Sequence, residues 1–232
     1  NVDIKVLAIT TIDGMILNED GIDLSSWREQ MKKPQFAFGP QNVDDIIKFV
    51  KEKKPLNPVF VDCTASYDLP ERYLDIINAG MSIATPNKRA NSMDIKFYHE
   101  LRRTANKMHR RFLYETNVGA GLPIIDTLQN LYKSGDKLES FNGIMSGSLS
   151  YIFGKLDEGV KFSQAVKEAK ELRYTEPDPR DDLEGKDVAR KALIIARESG
   201  YDIELTDIEL IPVFPKDFDV TPICSPTSSA LF

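Results

Sequence analysis

The chain has 232 residues, 30 basic against 36 acidic side chains, a net charge of −6 and two cysteines. That length allows one large or two small domains with a real core, and no basic cluster interleaved with aromatics stands out apart from Lys107–Arg111, which argues against a nucleic-acid partner. Cys63 and Cys224 are too few and too far apart for a disulfide framework or a zinc site, and no apolar run reaches membrane-spanning length, so a chain in a reducing, cytoplasmic compartment without membrane contact is expected. The N-terminus shows neither a signal nor a transit pattern, and the start at Asn1 reads as a fragment, a processed chain or a trimmed one.

In chain order, residues 2–10 alternate and then become continuously apolar, which predicts a buried strand. A turn at Asp13-Gly14 and a short segment Met15–Leu17 follow. Ile22–Met31 reads as a helix with Asp23 or Ser25 as cap, residues 34–42 as a loop, and Val43–Lys53 as an amphipathic helix with Val43, Ile46, Ile47 and Val50 on one stripe. Residues 58–66 predict a buried strand, Leu69–Ala79 a helix, and Met81–Ala84 another buried strand running into Thr85-Pro-Asn-Lys88. Helix 92–108 then leads to strand Arg111–Tyr114. Strands alternating with helices predict βαβ units and a mainly parallel sheet, whose ligands bind at the carboxyl ends of the strands. Thr10, Thr64 and Lys88 lie at such ends, although a strand-end Thr or Lys is often only a loop residue. No Gly-x-Gly-x-x-Gly or Walker-type loop occurs; Gly119-Ala120-Gly121 is the nearest approach and reads equally as a tight turn before a proline-started helix.

After residue 121 the pattern changes. Pro123–Tyr132, Ser150–Leu156 and Ser163–Leu172 predict helices, while Lys137–Met145 and Ile208–Phe214 predict strands. The expected division is 1–121, a nucleotide-binding domain, 122–218, an α+β domain, and 219–232, a tail of loop composition. His99 and His109 lack partners at metal spacing and read as surface or capping residues.

The stretch from Tyr174 to Lys191 concentrates six carboxylates, two prolines and a glycine, with Pro177 and Pro179 disfavouring a regular helix there. Past Gly185 an amphipathic helix is predicted, with apolar positions 188, 192, 195 and 196. Asp187 and Lys191, four apart, share a face of it. On spacing alone this is either an ordinary solvated ion-pair helix behind an acidic loop or a cation flanked by carboxylates at a site.

Five motifs in order resolve that choice: Val61-Asp-Cys-Thr64, Thr85-Pro-Asn-Lys88, residues 114–123 (Tyr-Glu-Thr-Asn-Val-Gly-Ala-Gly-Leu-Pro), residues 143–153 around Ser146-Gly-Ser148, and residues 175–182 (Thr-Glu-Pro-Asp-Pro-Arg-Asp-Asp). Together they resemble homoserine dehydrogenase, especially the dehydrogenase part of the bifunctional aspartokinase–homoserine dehydrogenases. The resemblance implies an α/β chain with an incomplete Rossmann-type nucleotide-binding domain and an α+β catalytic and dimerisation domain. It implies NADP- or NAD-linked interconversion of homoserine and aspartate semialdehyde, a small-molecule substrate, a homodimer or higher homo-oligomer, and a possible fused aspartokinase. In that family the lysine matching Lys191 gives and takes the proton, with Asp187 beside it. Glu176, Asp187 and Tyr174 match substrate-binding positions, and Thr64, Lys88 and Thr10 cofactor-side positions. A monovalent cation, usually sodium, would be held by Glu115 and the carbonyls of Val118, Ala120 and Leu122.

Family members begin with a glycine-rich dinucleotide turn that this sequence does not contain, and they continue beyond residue 218. The alternative reading is therefore a truncated, non-catalytic remnant. Arg173 also stands where the family usually has glycine, a departure that matters if the backbone there is left-handed.

Overall fold

A computed structural model describes residues 4–12, 14–33, 43–175 and 178–212. The chain forms two compact units, one from residues 1–84 and 100–113, the other from residues 85–99 and 114 onward. The predicted loop 34–42 and tail 219–232 lie outside the described residues.

In the first unit, β1 (Ala8–Thr11) and β2 (Gly14–Leu17) form an antiparallel hairpin with Thr10 opposite Met15. The expected long buried strand is therefore corrected: β1 is short and half-buried, because only one side of the hairpin faces the small core of Ile16, Ile22 and Met31. Helix α1 covers only Trp27–Met31 of the predicted Ile22–Met31. The Asp23 carboxylate accepts the Ser25 N–H at 2.9 Å and the hydroxyls of Ser25 and Ser26, a local turn that competes with helix. Those bonds hold the Asp23 pKa below its ordinary value. Helix α2 (Val43–Lys53) forms as its stripe predicts and buries Val43, Ile46, Ile47 and Val50, with Phe49 added.

The sheet of this unit is parallel, with β4 (Ser82–Ala84) between β3 (Val59–Val61) and β5 (Phe112–Leu113). A 3-10 turn (Leu69–Arg72) and α3 (Tyr73–Asn78) make up the predicted helix between β3 and β4, as a βαβ unit requires. Tyr73, Ile76, Ile77, Met81 and Ile83 are essentially sealed from solvent. Each such side chain stabilises the fold by about 1.5–3 kcal/mol through burial. The prediction of β3 as a buried strand needs revision. Phe60 points inward, while its neighbours Val59 and Val61 are 56% and 62% exposed.

In the second unit the regular elements among the described residues are helical: α4 (Arg89–Ser92), α5 (Ile95–Lys107, through His99), α6 (Ile124–Lys133), α7 (Gly147–Asp157), α8 (Phe162–Glu171), α9 (Pro179–Leu183) and α10 (Lys186–Glu198). The single helix predicted over 92–108 is split. Met93 has an extended ψ of 179°, and Asp94 Oδ1 accepts the amides of Lys96 and Phe97 at 3.1 and 3.0 Å, starting a new helix. The strands predicted over Lys137–Met145 and Ile208–Phe214 do not form in the described residues. No strand in the described part of this unit offers them a ladder, and Phe141 and Ile144 stay exposed. Pro179 opens a helix instead of preventing one: it occupies the first helical position, where its missing N–H costs nothing, and Asp178 caps it by accepting the Arg180 amide at 3.0 Å. Ile152, Ala165, Val166, Ala169 and Leu183 form a core joining α7, α8 and α9.

Helix α10 departs most from its pattern. Of the predicted stripe 188, 192, 195 and 196 only Ile195 is buried, joined by Ala189, Leu193 and Ile194 and by three polar residues, Asp187, Arg197 and Glu198. A helix that buries charges needs partners for them. Glu198 accepts the phenol hydroxyls of Tyr98 and Tyr114 at 2.9 and 2.7 Å and the Gln129 amide at 2.8 Å.

Candidate active site

The site grows from the first turns of α10. Asp187 is 3% exposed. Its Oδ2 lies 2.6 Å from the Lys191 ammonium one turn on, and its Oδ1 lies 3.2 Å from the ammonium of Lys88, just before α4. Lys191 also donates to the Met145 carbonyl at 2.7 Å. Burial alone would push the Asp187 carboxyl pKa up, but the two ammonium groups outweigh it and hold it below the ordinary carboxylate value. The solvated-surface reading of this ion pair is thereby excluded: one sealed carboxylate stands between two cations that are themselves mostly buried.

One residue that the spacing did not single out joins this centre, and a second hydrogen-bonded group follows it in the chain. Met145 lies in the segment expected to be a strand, and its backbone carbonyl anchors Lys191. The next residue, Ser146, caps α7 by accepting the Leu149 amide at 3.1 Å; its hydroxyl shares a 2.9 Å hydrogen bond with Ser148. Ser148 donates to Asp182 Oδ1 at 2.6 Å, and all three side chains are buried. The Ser-Gly-Ser turn and the Asp181-Asp182 pair were visible in the sequence. The signal that joins them is burial: a sealed carboxylate at the start of a short helix needs a donor, and a hydroxyl beside a helix cap can supply one.

The segment carrying Lys88 is fixed by side-chain turns. Thr85 Oγ1 accepts the Asn87 amide at 2.9 Å, Asn87 Oδ1 accepts the Arg89 amide at 3.0 Å, and the Lys88 carbonyl accepts the amides of Asn91 and Ser92. In the first unit, Thr64 follows β3 and is half-buried. Its amide donates to Asp62 Oδ1 at 2.8 Å, its Oγ1 accepts the Ser66 amide at 3.1 Å, and Asp62 is held by the Tyr73 hydroxyl at 2.5 Å. Thr10 sits in the antiparallel hairpin rather than at the end of a parallel strand, which corrects its expected placement; its Oγ1 is buried and unpartnered.

Glu115 takes the amides of Ile125 and Asp126, both at 2.9 Å, onto its two oxygens and so caps the start of α6. The turn after it uses left-handed backbone at Gly119 (φ 81°) and Ala120 (φ 51°), as a tight turn demands. The Leu122 carbonyl accepts the Ile124 amide at 2.9 Å. Tyr174 stacks edge-on against Tyr151, with ring centroids 5.1 Å apart, and is half-exposed. Glu176 lies outside the described residues. Arg173 does adopt the left-handed backbone, with φ 60°. A 290 Å³ cavity between α6, residues 136–140 and Ser199 contains none of the predicted site residues. Among the described residues no cluster of three His, Cys, Asp or Glu side chains could hold a metal, and no helix is long and apolar enough to cross a membrane.

The described residues thus hold a parallel three-stranded sheet in the first unit and a buried lysine–aspartate–lysine centre in the second. Comparison with known proteins gives the family. Residues 3–115 match the homoserine dehydrogenase NAD-binding domain, and residues 123–217 match the homoserine dehydrogenase domain. The chain is 49% identical over 218 residues to the bifunctional aspartokinase/homoserine dehydrogenase of Haemophilus influenzae, covering 94% of this chain and 26% of that protein. It is 39% identical over 207 residues to the homoserine dehydrogenase of Schizosaccharomyces pombe, covering 86% of this chain and 54% of that one. A hyperthermophilic archaeal homoserine dehydrogenase solved in complex with NADPH superposes with a TM-score of 0.66 at 27% identity, over 84% of this chain and 60% of that chain. The chain belongs to the homoserine dehydrogenase family. It spans about a quarter of the bifunctional relatives and just over half of the S. pombe protein.

Proposed function

We propose that the chain carries the acid–base centre of an NAD(P)-linked homoserine dehydrogenase, interconverting L-homoserine and L-aspartate 4-semialdehyde. The observation that carries this reading is the buried Asp187 between Lys88 and Lys191. An ammonium has three N–H donors. In Lys191 one meets Asp187 and a second the Met145 carbonyl, which leaves the third for a substrate oxygen. The dinucleotide, when bound, supplies or accepts the hydride at the substrate carbon. As the aldehyde is reduced, the carbonyl π electrons move onto oxygen, and Lys191 delivers a proton there and regains one from solvent; the ionised Asp187 favours the charged form of Lys191 and so its reprotonation. The Lys88 ammonium adds positive potential on the same side. The carboxylate of Glu176 suits the substrate ammonium and Tyr174 belongs to the same segment, while Asp187, expected to share that task, is sealed between the two lysines and serves it through them.

Toward the cofactor, the strand-end Thr64 retains its hydroxyl proton for a ligand, since its oxygen already accepts the Ser66 amide. The buried, unpartnered Thr10 Oγ1 is the kind of polar atom a bound group would satisfy. The donor set of Glu115 with the carbonyls of Val118, Ala120 and Leu122 is oxygen-only and fits a hard monovalent cation such as sodium. Glu115 and Leu122 would do so with the lone pairs their backbone partners leave. A cytoplasmic, reducing setting belongs to this reading, in keeping with a chain of two widely spaced cysteines. A homo-oligomer, and a linked aspartokinase like that of the bifunctional relatives, belong to the same reading.

The test is NADPH oxidation driven by aspartate semialdehyde, repeated with Lys191→Ala. Loss of general acid catalysis should cost about 10²–10⁴-fold in rate. An unchanged rate in Lys191→Ala removes the role given to that lysine, and absence of NADPH binding at millimolar concentration favours the non-catalytic alternative.

A further inference from the structure

Lys88 reaches Asp187 from a segment far away in sequence, so something must fix that segment's backbone. The turns of Thr85 and Asn87 shape it locally, and the side chain that holds it from elsewhere in the chain is Asn117, which is 1% exposed in the turn before α6. Its Nδ2 donates to the Thr85 carbonyl at 3.0 Å, three residues before Lys88. Its Oδ1 accepts from Nδ2 of Asn91 at 2.8 Å, three residues after Lys88. Asn91 is itself sealed, and its amide donates to the Lys88 carbonyl at 3.2 Å. The Asn91 carbonyl in turn accepts Arg197 Nη1 at 3.0 Å, from the same helix α10 that carries Asp187 and Lys191. One amide thus grips the chain on both sides of Lys88, and the Asn91 carbonyl ties the same segment to the helix bearing its partner.

We propose that Asn117 is a positioning residue that sets where the Lys88 ammonium stands against Asp187. An asparagine suits the task because it alone offers a donor and an acceptor on one short planar group, matching a carbonyl on one side and an amide N–H on the other. Both bonds lie in a sealed interior, where a lost partner leaves a buried polar group unsatisfied and the segment must rearrange. The use of Lys88 in the reaction rests on the function proposed above; the clamp on its backbone does not.

The readout is therefore chosen to need neither cofactor nor turnover. The charged groups that face the Asp187 carboxylate among the described residues are Lys88 and Lys191. Removing a cation from beside a carboxylate raises the pH at which it titrates. The Asp187 carboxyl is followed by ¹³C NMR in aspartate-labelled protein, its signal assigned by loss in Asp187→Asn. Lys88→Met sets the full upward shift for a lost ammonium. Asn117→Ala is expected to give at least half of that shift, and Asn91→Ala a shift in the same direction. Tyr98→Phe, which removes a hydrogen bond to Glu198 in the same unit, is expected to lower stability and leave the Asp187 midpoint where it is. An unmoved midpoint in Asn117→Ala, with Lys88→Met shifted, overturns the proposal; so does an unmoved midpoint in Lys88→Met. If Asn117→Ala does not fold by circular dichroism, Asn91→Ala decides on the same terms.

Discussion

Replacing Asp187 by asparagine removes the charge that both lysines share and leaves two ammonium groups facing a neutral amide. At separations of 3.2 and 2.6 Å the gross attraction is about 5–6 kcal/mol per pair with an effective dielectric near 20. Desolvation offsets much of that, and breaking a buried pair by deleting one partner costs about 3–5 kcal/mol in practice. The side chains of Lys88 and Lys191 keep 20% and 16% of their exposure, so both recover some hydration, and about 2–3 kcal/mol is expected. Urea unfolding at neutral pH should show this as a midpoint lower by about 1 M for a slope near 2 kcal/mol/M. The sign of the pH dependence follows from the depressed folded-state pKa of Asp187. Its stabilisation is fully present above the unfolded value near about 3.9 and is lost as pH falls through the folded value. The gap between the natural chain and Asp187→Asn should therefore close on acidification below that range. Adding Lys88→Met to Asp187→Asn removes one of the stranded cations and should restore part of the loss. A midpoint unchanged to within about 0.2 M at neutral pH would refute the view that this carboxylate is held by two cations.

Arg173→Gly should stabilise the fold by about 1 kcal/mol, because residue 173 closes α8 with φ 60° in a turn where the Arg173 and Tyr174 amides bond back to Lys170 and Ala169. Calorimetry should show this as a rise of about 2–4 °C in Tm. Gly119→Ala should do the opposite by more than about 1 kcal/mol, since φ is 81° and a Cβ would stand 2.5 Å from Ile124 Cγ1; the same calorimetry checks it. Tyr73→Phe takes a hydroxyl from the buried Asp62 and should cost about 1–3 kcal/mol in urea unfolding, with weaker NADPH binding if the Asp62–Thr64 turn loosens.

Much of the first unit was legible because its local signals and its tertiary needs agree. The stripe of Val43–Lys53 became a helix with the stated residues buried, and the βαβ alternation became a parallel sheet. The reading failed where a polar side chain rewrote the local backbone. Asp23 spends its carboxylate on the following serines and delays α1, while Asp94 starts a fresh helix and splits the predicted one. It failed again where a predicted strand lacked a neighbour: residues 137–145 read as a strand, yet a ladder is a property of two segments.

The site shows the same division more sharply. Asp187 and Lys191 were legible because a helix forces residues four apart together, whatever surrounds them. Lys88 was a candidate from its place at a strand end and from the motif it belongs to, but nothing local to it announces a partner 99 positions later. The misplaced stripe on α10 has the same origin. Amphipathic reading assumes that charge faces water, and here Asp187, Arg197 and Glu198 face inward while Val188 and Ala192 are only half-buried. A helix whose polar residues are the buried ones is stable only if other segments bring donors and cations to meet them. Lys88, Tyr98, Tyr114 and Gln129 do this, each from a different part of the chain. The apparent error in the hydrophobic pattern is thus itself a sign of the site: a helix that violates its own stripe with carboxylates is being paid for elsewhere, and tracing those partners leads to Lys88 and to the Asn117 that holds it.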